Sequence, residues 1–428
     1  MSRDTDFVLR GGALHAEGVA LGRIAQAVGT PTYVYSTGAL RAAARRFREA
    51  LAPIPRKSLA FAVKANPSLA VLSVLRGEGF GADIVSGGEL TAALAAGMAA
   101  GDIVYSGVGK TPEELAQALR AGVGHVNLES EREGDVLAAT AVRMGVEATA
   151  MLRINPDVDA GTHAKITTGT SDSKFGVAFA DAIGIFDRLA RHPGLTLHGV
   201  AVHIGSQIMD LEPLETAYRR IGELVAALRA RGHVITRVDL GGGLGVDYHD
   251  GPDGDVAAYG EMVARVTHDW DVTLMFEPGR YIAAHAGVLL TRVLWVKPGE
   301  ECPFVVIDAG MNDLARPALY DAWHEFAAVA PNGATMRAHV VGPVCESSDR
   351  FAKGRLIDRV REGDLAVLRD AGAYGASMAS CYNSRALAAE VMVEGDRFAV
   401  IAPRIDAAAI RPQSVPDWLE ARRLGHAA

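Results

Sequence analysis

Four short segments carry residue types that can hold a cofactor and act on a small substrate. They are Lys64 in FAVKAN, His203 in HIGS, the glycine run GGGLG at 241–245, and EPGR at 277–280. Each ends or follows an apolar run that is typical of a buried β-strand. A lysine at the end of such a strand is costly as an isolated charge, but its amine can form a Schiff base with an aldehyde cofactor. Together the segments indicate a site for amine and carbonyl chemistry.

The other three segments complement a phosphorylated ring cofactor. Backbone N–H groups of the glycine run can surround a phosphate. Glu277 can pair with a protonated pyridine nitrogen and keep the ring electron-withdrawing, and the planar guanidinium of Arg280 can bind a phosphate or a carboxylate. His203 can stack on the ring. Because His198 lies five residues earlier, strand alternation places it on the opposite face, and no metal pair is expected.

Each segment also has a purely structural interpretation. Lys64 can extend along an apolar surface to solvent, and His203 can be a hydrogen-bonded core residue. The glycine run can be a tight turn without a ligand, and Glu277 can form an internal ion pair with Arg280. Taken singly, none of the segments decides between the two interpretations. Their common position at the ends of strands favours the chemical one.

Two segments in the last third of the chain add candidates for substrate binding. In DLARPALY, Arg316 and Tyr320 are four residues apart, so a helical turn would place them on one face, where they could hold a carboxylate. In GPVCESSD, Cys345 and Glu346 set a thiol beside a carboxylate, which could deliver a proton and bind an ammonium group. The structural alternatives are an ordinary surface helix and a buried, inert thiol.

The elements that must position these residues follow an alternating pattern. Between residues 37 and 285, short apolar runs alternate with amphipathic segments, which is typical of repeated strand–helix units. The segment TPEELAQALRAG is a clear helix, with Thr111 as its cap, Pro112 at its first position and Gly122 at its end. Eight strands are predicted, at 58–63, 82–86, 103–106, 125–129, 149–154, 197–204, 235–240 and 273–277.

Eight such units predict an α/β fold, a (β/α)8 TIM-like barrel at 31–285, whose active site would lie at the carboxyl ends of the strands. After residue 286 the pattern changes to short β-rich pieces separated by turns. We therefore predict a second, mainly β domain, a β-barrel or sandwich, formed by 286–428 together with 1–30.

Composition limits the classes of partner. The 428-residue chain has a net charge of -8 with no basic stripe, so no nucleic-acid partner is expected. It has neither a secretory signal nor an apolar run long enough to span a bilayer, so we expect no membrane association and a cytoplasmic location. Its three cysteines, Cys302, Cys345 and Cys381, indicate neither a disulfide framework nor a zinc site.

The motifs occur in a familiar order. The segments FAVKAN, DSKFG (172–176), HIGSQI, GGGLG, EPGR, DLARPALY, CESSD and AGAY (371–374) span residues 61–374. In this order they closely resemble the diaminopimelate decarboxylase family, which are fold-type III pyridoxal-phosphate enzymes. The resemblance implies decarboxylation of meso-2,6-diaminopimelate to L-lysine, the last step of lysine biosynthesis, with pyridoxal 5'-phosphate as cofactor.

Matched residue by residue, the resemblance implies how the cofactor is held. Lys64 binds it as a Schiff base, His203 stacks on its ring, and Glu277 faces the pyridine nitrogen. Tyr374 contacts both the cofactor and the substrate. The phosphate is held by the glycine run and the EPGR segment, through Gly241, Gly242, Gly243, Gly279 and Arg280.

The resemblance also implies the substrate contacts and the assembly. Arg280, Arg316 and Tyr320 hold a carboxylate of the small amino-acid substrate, and Glu346 takes its distal amino group. Cys345 matches the proton donor of the family, supplied across the interface of a head-to-tail homodimer. The catalytic set implied is therefore Lys64, His203, Glu277 and Cys345.

Some positions depart from the family pattern, and other functions stay open. Phe61 stands where the family usually has Tyr, Ser348 where it has Gly, and the chain after residue 405 lacks the expected ending. The alternatives are a decarboxylase of the same fold for ornithine, arginine or a carrier-bound glutamyl group, an amino-acid racemase, or a non-catalytic cofactor-binding relative. A distal ammonium suits Glu346 and a distal carboxylate suits Arg316, and diaminopimelate offers both.

Overall fold

Eight parallel strands close into a barrel in the computed structural model, which describes residues 6–161, 169, 173–249 and 251–419. Each strand pairs with the next, and the last strand pairs with the first through Leu274 and Lys57, which completes the ring. The predicted barrel is confirmed, and the predicted strand ends differ from the observed ones by at most two residues. The strands are Lys57–Ala62, Gly81–Ile84, Ile103–Tyr105, His125–Leu128, Ala148–Asn155, Leu195–Val202, Arg237–Asp239 and Thr273–Phe276.

Helices connect successive strands and cover the barrel. The helix predicted from TPEELAQALRAG is observed, with the Thr111 hydroxyl accepting the Glu114 N–H and Gly122 ending it in the left-handed conformation. Each helix buries an apolar stripe against the strands, as in other barrels of this kind. The connecting helices are Leu69–Gly77, Gly87–Ala95, Pro112–Ala121, Glu131–Met144, Ala182–Leu189, Glu212–Ala230 and Val256–Val266.

A second, mixed sheet follows the barrel in sequence, which confirms the predicted β-rich part. The helix Arg316–Tyr320 is inserted between two of its strands. Its strands are Thr32–Ser36, Gly287–Lys297, Phe304–Ile307, Phe326–Ala328, Thr335–Val341, Arg350–Asp358, Leu365–Leu368, Ala389–Glu394 and Arg397–Ala402.

The strand Thr32–Ser36 lies in the centre of this second sheet, although it falls inside the segment predicted to form the barrel. It pairs antiparallel with Gly287–Lys297 and parallel with Ala389–Glu394, and all five of its residues are buried. The sequence TYVYS predicts a strand, but its sheet is set by pairing with strands more than 250 residues away. The helix Thr37–Ala50 then leads into the barrel.

The first described residues pack on the second sheet. The strands Phe7–Arg10, Ala13–Ala16 and Val19–Ala20 form a small antiparallel sheet. Its apolar face joins a core cluster with Val288 and Val367, and the Leu14 N–H donates to the Val329 carbonyl at 2.7 Å. No helix in the described ranges is long and apolar enough to cross a membrane.

His285 connects the barrel to the second sheet beside the predicted site. It lies in the turn Ala284–Ala286, and its ring nitrogens are 2.6 Å from Asp370 Oδ1 and 2.8 Å from Asp253 Oδ1. Although burial opposes its charge, the two carboxylates raise the pKa of His285 to about 10. As an imidazolium it donates to both, which holds the loop after the glycine run against the segment that leads to Tyr374.

We expect His285→Leu to lower the free energy of unfolding by about 3 kcal/mol at neutral pH, because it leaves two partly buried carboxylates uncompensated. A raised pKa means that this contribution is fully present below pH 6.5 and is lost as the pH rises through about 10. Denaturant unfolding of the wild type and the variant across this pH range should show that the difference between their free energies of unfolding decreases as the pH increases. The control is His268→Leu, because the imidazole of His268 is 74% exposed. If the stability difference for His285→Leu did not change with pH, His285 would not be the charged partner of the two carboxylates.

Candidate active site

A cavity of about 460 Å³ opens at the carboxyl ends of the barrel strands, and the helix Arg316–Tyr320 closes one side of it. It shares lining residues with a smaller pocket that borders the glycine run. Residues predicted for the site line these two spaces, namely Lys64, His203, Gly242, Gly243, Glu277, Gly279, Arg280, Arg316, Tyr320 and Tyr374. The barrel register therefore brings together residues that are far apart in the sequence.

Lys64 projects into the cavity from the short turn Val63–Ala65 that follows the first strand. Its Nζ donates to Asp83 Oδ2 at 2.8 Å, and its side chain is 36% exposed whereas that of Asp83 is fully buried. Although burial opposes the charge, Asp83 and Glu277 raise the pKa of the Lys64 ammonium above its ordinary value. Lys64 must therefore lose a proton before it can act as a nucleophile, and Asp83 is placed to receive it.

His203 follows the sixth strand and faces the same cavity. Its Nδ1 accepts the Gly242 N–H at 3.2 Å. Burial, reinforced by the charges of Arg153 and Lys64, lowers the pKa of His203 well below its ordinary value. The imidazole is therefore neutral, a state that suits stacking on an aromatic ring better than a cation would.

The glycine run passes so close to neighbouring backbone that side chains would not fit. A Cβ at Gly242 would lie 2.2 Å from the Glu277 carbonyl oxygen, and one at Gly243, whose φ is +117°, would lie 2.7 Å from the Gly205 carbonyl oxygen. Gly242 and Gly243 line the small pocket, whereas Gly241 donates its N–H to Asp239 Oδ1 at 2.8 Å. The run is thus open to an anion along part of its length.

Glu277 stands at the end of the eighth strand with its side chain buried. Its Oε1 has no hydrogen-bond partner within the described part of the chain. Burial, together with Asp239 and Asp83, raises the pKa of Glu277 well above its ordinary value. Burial likewise raises the pKa of Asp239. The predicted alternative, an internal pair with Arg280, is not formed, because Arg280 donates to Ser206 and Tyr248 instead.

Two buried arginines face the cavity without an acidic partner in the residues that the structure covers. Arg280 donates to Tyr248 Oη at 2.9 Å and lies 4.8 Å from the ring centre of Tyr374. Arg316 contacts the face of Tyr248 at 4.3 Å and is hydrogen-bonded to His324 Nε2 at 2.9 Å. Burial, with the charge of Arg316, lowers the pKa of His324 to about 3, so this imidazole is neutral and accepts.

Cys345 and Glu346 lie outside this cavity, on an exposed loop of the second sheet. The Cys345 N–H donates to Asn383 Oδ1 at 3.2 Å, and the Tyr382 hydroxyl donates to Glu346 Oε1. Ser348 is exposed on the same loop, with its hydroxyl 3.6 Å from Met311 Sδ. Within one chain the loop is therefore held in a defined conformation but does not reach Lys64.

Sequence reasoning missed several residues that the barrel brings to the cavity. Asp83 accepts from Lys64 behind the cavity wall, and Asp239 lines the cavity and accepts from Asn127 at 2.8 Å. Arg153 also lines the cavity and pairs with Glu129 at 2.6 Å. An acid within a short apolar strand, as in ADIV and RVDL, is a usable signal, because a buried carboxylate requires a partner. Asp172, in the DSKFG segment, lies outside the described residues.

The barrel matches a known family of cofactor-binding domains. The family model described as "Pyridoxal-dependent decarboxylase, pyridoxal binding domain" matches residues 37–284, which is more than half of the chain. The barrel is thus the cofactor-binding domain of a pyridoxal-dependent decarboxylase.

Whole-chain relatives narrow the class. The diaminopimelate decarboxylase of Zymomonas mobilis is 51% identical over 96% of this chain and 99% of its own length, and that of Pseudomonas fluorescens is 50% identical over 91% and 94%. The crystal structure of diaminopimelate decarboxylase from Helicobacter pylori complexed with L-lysine is 36% identical, with a TM-score of 0.87 over 95% of this chain and the whole of its own. The chain therefore belongs to the diaminopimelate decarboxylase family, as the motifs predicted.

Proposed function

We propose that this protein decarboxylates meso-2,6-diaminopimelate to L-lysine and carbon dioxide, the last step of lysine biosynthesis, with pyridoxal 5'-phosphate as cofactor. The observation that carries this proposal is the pair of buried guanidinium groups, Arg280 and Arg316, in the cavity that also contains Lys64. They suit a substrate with a second carboxylate, which simple diamine-forming substrates lack. The names of the close relatives support the same activity.

The residues of the cavity fit the cofactor. The buried Oε1 of Glu277, which lacks a partner among the described residues, suits a protonated ring nitrogen, and the side-chain-free surface of Gly242 and Gly243 suits a phosphate. Lys64 would hold the aldehyde covalently, and His203 would support the ring face. When bound, this cofactor supplies the electron sink that decarboxylation requires.

The same residues orient the substrate and handle protons. We propose that Arg316, Tyr320 and Arg280 hold the carboxylate that does not react, and that Tyr374 closes the site between substrate and cofactor. Asp83 receives the proton that Lys64 loses, since their atoms are 2.8 Å apart. Binding the distal centre fixes which carboxylate faces the electron sink, so remote binding energy is used to orient the reacting bond.

A homodimer would complete the site. We propose that the loop carrying Cys345 and Glu346 reaches the cavity of a second subunit, where Cys345 donates a proton to the α carbon and Glu346 binds the distal ammonium. The support is that both residues are exposed in one chain, while the helix Arg316–Tyr320 of the second sheet already borders the cavity. On this proposal the barrel binds the cofactor and the β-rich part supplies substrate and interface residues.

A panel of amino acids tests the proposed function directly. Purified protein loaded with pyridoxal 5'-phosphate is incubated with meso-diaminopimelate, L-ornithine or L-arginine, and carbon dioxide and the amine product are measured. We expect equimolar L-lysine and carbon dioxide from diaminopimelate, and far slower release from the other two. If kcat/KM for ornithine or arginine equalled that for diaminopimelate, the proposed substrate would be wrong. Bound cofactor without any turnover would indicate a binding protein.

We expect Arg316→Met to reduce kcat/KM for meso-diaminopimelate about 10- to 100-fold, because a charge-assisted hydrogen bond to a buried group contributes about 1.5–3 kcal/mol. Any residual turnover of ornithine should change little, since ornithine offers no second carboxylate. Steady-state kinetics with both substrates measure this difference. Arg359→Met, at an exposed position, is the matched control; an equal loss for both substrates would show that Arg316 does not read the second carboxylate.

A further inference from the structure

The carboxylates behind Lys64 outnumber the cations that pair with them directly. Asp239 and Glu277 lie at the ends of adjacent barrel strands, Asp83 lies on a strand separated from them by Lys57–Ala62, and none of the three is more than 8% exposed. The Lys64 ammonium, which acts on Glu277, is already paired with Asp83 at 2.8 Å. With all three acids ionised, the cluster would carry three negative charges and one positive charge, or -2, inside the barrel. Such neighbouring buried carboxylates do not both ionise readily.

The barrel register places Asp239 and Glu277 on the same face of adjacent strands. Asp239 pairs with Met275 across the parallel strands, so Glu277, two residues further along, projects from the same face. The Glu277 N–H donates to the Gly241 carbonyl at 2.7 Å, which holds the two strand ends together, and, in addition to burial, the charge of Asp239 raises the pKa of Glu277. Because a carboxylate only accepts, the two carboxyl groups can be hydrogen-bonded to each other only when one of them carries a proton.

The surrounding donors decide which of the two holds the proton. Asp239 Oδ1 accepts the Gly241 N–H and Asp239 Oδ2 accepts the Asn127 amide, each at 2.8 Å, and both bonds favour its ionised form. Glu277 has no such donor on Oε1 among the described residues. The neutral, donating member of the pair is therefore Glu277.

We infer that Asp239 and Glu277 share one proton before the cofactor binds, and that Asp239 is a positioning residue that keeps Glu277 protonated and oriented. With this proton the cluster carries -1 instead of -2. The inference rests on the proposed function only in its final step, where the proton passes to the ring nitrogen. With the cofactor bound, the O–H bond of Glu277 would break, its electron pair would stay on the oxygen, and the ring nitrogen would take up the proton, so that Glu277 would be ionised beside a cationic ring.

Infrared difference spectroscopy of the cofactor-free protein at neutral pH tests the shared proton without any enzyme assay. We expect the wild type to show the carbonyl band of a protonated carboxyl group that is absent from both Glu277→Gln and Asp239→Asn. Asp239→Asn should remove it because Glu277 can ionise once its anionic neighbour is neutral. Asp269→Asn, at a side chain 71% exposed, is the matched control and should leave the band unchanged.

Two results would overturn the inference. If the wild type and Glu277→Gln have the same carboxyl band, Glu277 is ionised; if the band survives Asp239→Asn, burial alone protonates Glu277 and Asp239 has no such role. Circular dichroism establishes that each variant is folded. Absence of decarboxylation by the wild type would instead refute the proposed function and leave the infrared result unaffected.

A second measurement needs only the wild-type protein. Binding of 4-deoxypyridoxine 5'-phosphate, which has the ring but no aldehyde, is followed by calorimetry in buffers of different ionisation enthalpy, at a pH where its free ring nitrogen is unprotonated. We expect almost no proton uptake from solvent, because the protein supplies the proton. Uptake of about one proton per site would contradict the inference, because the buffer dependence of the binding enthalpy reports every proton that is taken from solvent.

Discussion

Lys64→Ala should abolish turnover of meso-diaminopimelate, with a loss of at least about 10⁴-fold, the upper end of what one positioned proton-transfer group contributes. The loss should be this large because the variant has neither the covalent attachment for the aldehyde nor the amine that faces Asp83 at 2.8 Å. The absorbance of lysine-bound cofactor should disappear as well. Steady-state kinetics and the visible spectrum after dialysis measure the two effects.

The control for this variant is a lysine remote from the cavity. Lys297 lies exposed at the end of the strand Gly287–Lys297, so Lys297→Ala should retain both turnover and the cofactor spectrum. Because Lys64→Ala leaves the buried Asp83 without its cation, circular dichroism of both variants establishes that they are folded. A cofactor still bound to a lysine in Lys64→Ala would place the attachment elsewhere.

Cys345→Ala should reduce turnover about 10²- to 10⁴-fold, the range for a general acid, while cofactor binding is retained. The reason is that the proposed proton donor is lost without any change to the cavity that holds the cofactor, which Cys345 does not line within its own chain. Cofactor absorbance and turnover are measured on the same sample. Cys302→Ala, which changes a buried thiol near the strand Phe304–Ile307, is the matched control.

Mixing two inactive variants tests whether the site is shared. In random dimers of Lys64→Ala and Cys345→Ala, about half the molecules are mixed, and each mixed dimer has one site with both an intact Lys64 and an intact Cys345. Activity should therefore recover to about a quarter of wild type after joint refolding. A mixture as inactive as its components would show that each site is built from one chain, which would remove Cys345 from the proposed mechanism.

The barrel and most of the cavity were predictable because they depend on local patterns. Apolar runs and cap residues such as Thr111 and Gly122 locate the strands and helices, and parallel strands then bring Lys64, His203 and Glu277 to one end. The strand Thr32–Ser36 was assigned to the barrel because its sheet is chosen by pairing with Ala389–Glu394, which no local pattern encodes.

The residues of the site that the sequence did not predict are those that act on another site residue. Asp83 and Asp239 are ordinary strand-end acids in the sequence, and only the closed barrel shows that one pairs with Lys64 and the other with Glu277. Gly241 was assigned to the phosphate together with Gly242, yet its N–H is directed to Asp239. Orientation within a loop of this kind follows from tertiary contacts and not from the motif.

The covalent attachment of the cofactor at Lys64 is the central claim, and reductive trapping tests it most directly. The protein loaded with pyridoxal 5'-phosphate is treated with borohydride, digested, and its peptides are analysed by mass spectrometry. We expect a single peptide, containing FAVKAN, to carry the reduced cofactor on Lys64, and we expect prior addition of meso-diaminopimelate to diminish that peptide. A reduced cofactor on any other lysine, or none on Lys64, would contradict the account.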